Sequence, residues 1–310
     1  MNKRTLFTVT ILMMIQMLSC QWVTNIFSVG EPISSTPTMT IPSPLSVTPT
    51  SLVALPPTVS IGQPERYAVI LVKQDDVLNV RRGPGVDNPI VDRLDPLTRD
   101  IVQTGRREQM DDSLWVKIHI PSGGTGWVNA FFLTQYIPAE EFCADPRLPA
   151  LVDRFVAAIK NQDGGALARL ISPVHGLTIR HEWWNPEVTV RGEGSLSNLF
   201  VSPVSYDWGL QDGSGLPIQG TFAEVVLPKL LNVVTADYTV HCNTLEVGVA
   251  SGGSAGIVAW PFEYTNVNYV ALYRAAPADV EMDWRTWAVG IEYVNGEPFI
   301  AFLVQFHWEI

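Results

Sequence analysis

Cysteine is scarce in this chain: Cys20, Cys143 and Cys242 are all it has in 310 residues. No Cys-x-x-Cys pair occurs, and the five histidines include no His-x-x-x-His helical pair, so nothing supports a zinc site. "GPG" and "GSG" lack the following helix and lysine of a phosphate loop, so no nucleotide cofactor is expected. Positive charge is short as well, with 20 Lys and Arg against 31 Asp and Glu, a net −11. A surface of that sign repels phosphate backbones, which argues against a nucleic-acid partner. The longest apolar run, "LFTVTILMMIQML", has 13 residues and is short for a bilayer span.

What is present begins with an address. Lys3 and Arg4 precede that apolar run, and "MLSC" ends it at Cys20. The arrangement resembles the lipobox of bacterial lipoproteins, with Met17 where leucine is usual and Leu18 beside it. The resemblance implies a signal peptide over 1–19 and acylation of Cys20, which would hold the protein to the cell membrane from outside the cytoplasm. Loss of Lys3 and Arg4 would take the charge from −11 to −13. Export leaves Cys143 and Cys242 as an even pair in an oxidising compartment, so a disulfide between them is expected.

From Glu31 to Ser60, 19 of 30 residues are Pro, Ser or Thr. Such a segment has too little apolar side chain to offset its conformational entropy, so residues 20–64 read as a lipidated N-terminus and disordered tether.

Residues 65–138 read as short strands: "YAVILVKQ", "VLNVRRGPG", "PIVDRL", "DIVQTGRR", "WVKIHI" and "GTGWVNAFFL", parted by Gly, Pro, Asp and Asn. No helical period interrupts them, which suggests a small barrel. "LNVRRGPG", "SLWVKIHI" and "GTGWVNAFFL" resemble, in order, three motifs of bacterial SH3-like domains. Trp115 and Trp127 are expected in the barrel core. The resemblance implies a non-catalytic module that binds peptides or cell-wall glycopeptide in a shallow groove.

Residues 140–310 predict an α+β domain. "DPRLPALVDRFVAAIKNQD" sets Leu148, Leu151, Val152, Phe155 and Ile159 on one helical stripe, and "GGALARLISP" reads as a second helix with Leu167 and Leu170 inward. The remainder, including "AGIVAWPFEYTNVNYVALYR", reads as mostly strand, with Asn295-Gly296 as a hairpin turn. Two helices before a curled antiparallel sheet suggest a cone-like form. The "WGLQDGSGLPI" loop and terminal "LVQFHWEI" resemble an uncharacterised family of extracellular bacterial lipoprotein domains. The fold class expected for the whole is therefore multidomain: a small all-β SH3-like barrel followed by this α+β domain.

Chemistry is thinner. "DWGLQDGSG" offers Asp207, Trp208, Asp212 and Ser214 as candidate ligand contacts, but Asp-Gly and Ser-Gly are ordinary turn dipeptides, and the spacing of an EF-hand is missing. The loop reads as a turn first and a recognition loop second. Gly252-x-Ser254-x-Gly256, with Asp283 and His307 following, spells a hydrolase elbow, yet strands flank it where a helix is required. His181 and Glu182 beside Trp183 and Trp184 are the most site-like acid and histidine. No catalytic residue is assigned. The leading expectation is a tethered binding lipoprotein; the rival is a cell-envelope enzyme acting on a small or wall-derived substrate through the C-terminal region.

Overall fold

The computed structural model describes residues 65–245 and 259–308. The signal peptide, Cys20, the Pro/Ser/Thr-rich tether and the Gly252–Ser254–Gly256 motif lie outside the described residues.

The first lobe holds strands β1 (Arg66–Val69), β2 (Leu78–Arg81), β3 (Ile90–Leu94), β4 (Ile101–Met110), β5 (Ser113–His119), β6 (Thr125–Asn129) and β7 (Leu133–Gln135). They form one antiparallel sheet in the order β3-β2-β6-β5-β4-β1-β7. Alternation along the strands decides what lies inside: Val80, Val116, Ile118 and Val128 share a buried core with Val69, Leu94 and Leu133. The tryptophans follow the other parity. Trp115 and Trp127 are buried, at 4% and 6% exposure, but neither joins that core. The expectation that they fill it is corrected by the pleat: on β5 and β6 the core-facing positions belong to Val116, Ile118 and Val128, and the tryptophans lie on the opposite face.

The second lobe continues with helices α1 (Ala139–Cys143), α2 (Arg147–Asn161) and α3 (Gly164–Ala168), strands β8 (Leu177–Arg180) and β9 (Val188–Val190), and helix α4 (Glu193–Ser197). The hairpin β10 (Tyr206–Leu210) and β11 (Pro217–Gly220) follows, then α5 (Phe222–Val225), α6 (Leu227–Val234), β12 (Thr239–Cys242), β13 (Asn268–Arg274), β14 (Arg285–Val294) and β15 (Glu297–His307). The main sheet runs β12-β13-β14-β15-β8-β9 and is antiparallel except at β15–β8, which is parallel. Asn295 and Gly296, at φ of 52° and 80°, close the β14–β15 hairpin as expected of that dipeptide.

Helix α2 buries its whole predicted stripe. Together with Leu230, Val233 and Val234 of α6, it packs on Val270, Leu272, Trp287, Val289 and Leu303, so one face of the sheet is filled with apolar side chains. Two expectations need correction. Residues 222–234, read as part of a strand-rich remainder, are helical: Thr221 and Glu224 form a reciprocal capping box, and Pro228 sits in the first turn of α6, where its missing N–H costs nothing. The long strand expected through "AWPFEYTNVNY" is confined to Asn268–Arg274, because Pro261 opens a 3₁₀ turn over Phe262–Tyr264.

Cys143 and Cys242 are bonded, with Cα atoms 5.8 Å apart, fastening α1 to β12 across 99 residues of sequence. The lobes meet through buried chain. Ile70 packs among Tyr264, Val267 and Trp284. Asn266 Nδ2 donates to the carbonyl of Val69 at 2.8 Å, and Leu71 N–H to that of Glu263 at 2.9 Å. The described residues, 65–245 and 259–308, belong to a single compact unit.

Candidate functional site

The loop singled out by sequence is a hairpin turn whose polar groups bond to one another. Ser214 Oγ donates to Gln211 Oε1 at 2.9 Å, Gly215 N–H to the Gln211 carbonyl at 2.9 Å, and Asp207 Oδ1 accepts from Gly209 N–H at 3.0 Å. Trp208 is fully buried and donates from Nε1 to the Gly220 carbonyl at 3.0 Å, so it supports the hairpin from beneath. Gly209 is required here: its φ is +96°, and a Cβ would stand 2.3 Å from Asn185 Oδ1. Buried Asn185 braces the hairpin from that position, accepting from Leu210 N–H at 2.9 Å and donating to its carbonyl at 2.8 Å. Asp207, Trp208, Asp212 and Ser214 are thus neighbours in one turn, with Asp207 and Ser214 exposed.

His181 and Glu182 are brought together with two residues that sequence reading did not pair with them. Because β8 and β15 run parallel, in register at Arg180 and Val304, their C-terminal ends emerge side by side. Glu182, just past β8, accepts from His307 Nε2 at the end of β15 and from Lys229 Nζ of α6 at 3.1 Å. His307 Nδ1 faces the Trp308 carbonyl at 2.7 Å. His181 Nδ1 lies 3.2 Å from Glu182 Oε1, but neither ring nitrogen has an aligned hydrogen-bond partner. Burial alone would raise the Glu182 carboxyl; His181, His307 and Lys229 outweigh it and hold the group well below the usual carboxylate range. Burial, with Lys229 and His307 nearby, pushes His181 down, so it is neutral at pH 7. The carboxylate is saturated by cationic and ring donors and buried at 2% exposure, an arrangement that fastens strand ends rather than one poised to take a proton.

A second buried group joins the lobes. His175, at 1% exposure, directs Nδ1 to Glu292 Oε2 at 2.7 Å and Nε2 to the Phe131 carbonyl at 2.8 Å. Ser172 Oγ donates to Glu292 Oε1, and Thr134 Oγ1 reaches Oε2 at 3.4 Å. Burial opposes a charge on His175, but the hydrogen bond and field of Glu292, with the Phe131 carbonyl, outweigh it and raise its pKa. A serine, a histidine and an acid meet here without making a nucleophile. The serine proton goes to the acid, and both ring nitrogens face acceptors, leaving none to take a proton from an attacking hydroxyl. The hydrolase reading also finds Asp283 engaged elsewhere, by Arg274 at 3.1 Å and Arg285 at 2.9 Å. Among the described residues, no group of three or more His, Cys, Asp or Glu is placed to hold a metal ion.

The first lobe presents a surface groove of about 240 Å³. Trp115, Phe132, Val77 and Val86 line it, and Asp76, Asn79, Arg81 and Asn129 supply polar groups. Val86 is 69% exposed and Val77 36%, so apolar surface faces solvent beside donors and acceptors. The sequence resemblance implied a shallow groove in this lobe but named no lining residue and had Trp115 as core; the signal available was the parity of "LWVKI", in which Trp115 and Val116 cannot both point inward. No family model matches the chain, and neither a curated protein nor a solved structure is similar to it.

Proposed function

We propose that this protein is a non-catalytic lipoprotein, held on the outer side of the cell membrane by acylated Cys20. Its SH3-like first lobe takes a peptide or cell-wall glycopeptide in the groove over Trp115. The observation that carries the reading is the groove itself: a surface pocket lined by Trp115, Phe132 and solvent-facing valines together with Asp76, Asn79, Arg81 and Asn129. Binding pockets combine those features, an apolar bed for contact area and a few fixed polar groups for orientation. The lipobox-like "MLSC" and the Pro/Ser/Thr-rich tether support the anchored placement. Against the rival enzyme reading stand the apolar filling of the C-terminal sheet's packed face and the saturated Glu182 carboxylate.

Retention of the protein on purified cell wall tests the proposal. Trp115→Ala removes the lining indole, and Val86→Asp, on an exposed position, places a charge in the groove without disturbing the core. Both variants are expected to elute earlier than the parent; equal retention of both overturns wall binding through the groove. Cys20→Ser is expected to release the protein from membranes into the soluble fraction.

A further inference from the structure

A cleft of about 370 Å³ opens where the two lobes meet, away from the groove residues. Aromatic rings form part of its lining. Trp260 and Tyr269 stack with ring centroids 4.5 Å apart and planes 27° from parallel. On the first-lobe side, the Arg99 guanidinium stands 5.4 Å above the Tyr136 ring.

One polar group beside those rings, Arg99, is held in place by an atom other than the ones it presents. Arg99 Nε donates to Asn266 Oδ1 at 2.6 Å, and Asn266, buried at 6% exposure, is itself anchored on the carbonyls of Val69 and Pro96. Arg99 is therefore fixed through Nε, and its two terminal nitrogens have no hydrogen-bond partner among the described residues. Glu140, exposed in the first turn of α1, offers a carboxylate in the same condition. The hydroxyls of Tyr136 and Tyr269, each able to donate and accept, complete the set.

The chemistry of this lining narrows the ligand. One cation and one anion give no net charge, so phosphate or another strong anion gains little from entering. A purely apolar ligand would strip water from Arg99 and Glu140 without replacing it. A molecule with many hydroxyls and a C–H face fits both requirements. Its hydroxyls pair with the anchored Arg99 and with the carboxylate and hydroxyls beside it, and its C–H face lies on the electron-rich face of an aromatic ring. The volume falls in the range of small-ligand pockets, about 300–1,000 Å³.

We propose that this junction cleft is a saccharide-binding site, taking a neutral sugar against Trp260 and Tyr269 with its hydroxyls on Arg99, Glu140 and Tyr136. The inference does not rest on the groove over Trp115 and would survive its failure.

Chitotetraose, cellotetraose and maltotetraose, each at millimolar concentration with the whole chain, are the probes. Saturation-transfer NMR detects contact and calorimetry measures affinity. Binding of at least one is expected. Glu140→Ala and Tyr136→Ala, folded by circular dichroism, are each expected to weaken it by about tenfold, the cost of one good hydrogen bond. Lys160→Ala, at the exposed end of α2, leaves it unchanged. Contact with none of the three sugars overturns the proposal, as does an affinity that neither cleft variant lowers.

Discussion

The His175–Glu292 pair makes the stability of this protein fall as pH rises above about 6.5, the ordinary histidine value. His175 stands between two acceptors, so the imidazolium satisfies both with its two N–H groups, and its pKa is raised in the folded chain. The groups around it are Glu292, Ser172 and Thr134, with Arg191 behind, whose Nε donates to the His175 carbonyl at 3.3 Å. Above pH 6.5 the unfolded chain has lost the proton that the folded chain still holds. Stability therefore declines with pH, by no more than about 1.4 kcal/mol per pH unit, until the folded pKa is passed. Below 6.5 the lowered pKa of His181 acts oppositely, since the unfolded chain gains a proton that the folded one resists, and stability falls again toward acid. Urea unfolding followed by tryptophan fluorescence between pH 5 and 8.5, with the disulfide intact, should give a maximum near pH 6.5. Glu292→Gln strands a buried cation, and removing one partner of such a pair costs about 3–5 kcal/mol. That loss is expected in full at pH 5.5 and should shrink with rising pH, as His175 becomes able to discharge. Flat or rising wild-type stability between pH 6.5 and 8.5, or a Glu292→Gln loss independent of pH, would refute the assignment of the proton to His175.

Three further outcomes follow from particular contacts. Replacing Cys143 and Cys242 by serine opens a loop spanning 99 residues, worth about 4–5 kcal/mol in the chain-entropy model; a melting-point drop of roughly 10 °C is expected in calorimetry, and none would place the stabilisation elsewhere. Gly209→Ala drives a methyl into Asn185 at a positive φ, whereas Gly215→Ala, at φ +64° with open space around it, meets only backbone strain. The first should cost more than about 2 kcal/mol and the second about 1 kcal/mol, read as shifts in urea midpoint. Thr221→Ala removes the oxygen that caps α5 and should cost about 1 kcal/mol by the same measurement, with Thr221→Ser restoring most of it.

Legibility in the sequence tracked how local each signal was. The α2 stripe and the Asn295-Gly296 turn are written within a few residues, and both stand in the structure. Helices α5 and α6 were also written locally, in Thr221-x-x-Glu224 and in Pro228 at a first turn. The β-branched run Val225-Val226 beside them reads as strand, and tertiary packing of Leu230, Val233 and Val234 overrides that propensity. The parity of the first-lobe tryptophans was legible too: neighbours such as Trp115 and Val116 take opposite faces, and the smaller valines and isoleucines hold the core positions.

The polar clusters were legible only in part, for a topological reason. "HEWW" and "FHW" are ordinary strand-end letters 125 residues apart, and nothing near either of them calls for the other. They meet because β8 lies parallel to β15, a pairing that needs a long crossover and leaves no trace in hairpin turns or alternation. The same holds between the lobes. Glu292 lies in a strand of mostly apolar residues and looks misplaced there until Ser172 and His175, from one turn, and the Phe131 carbonyl arrive from two other parts of the chain. A buried acid in a strand is costly unless its partners are fixed, so its presence in sequence is itself the signal. "GIEYV" announced that a cation or strong donors must be waiting on that face, although not which ones.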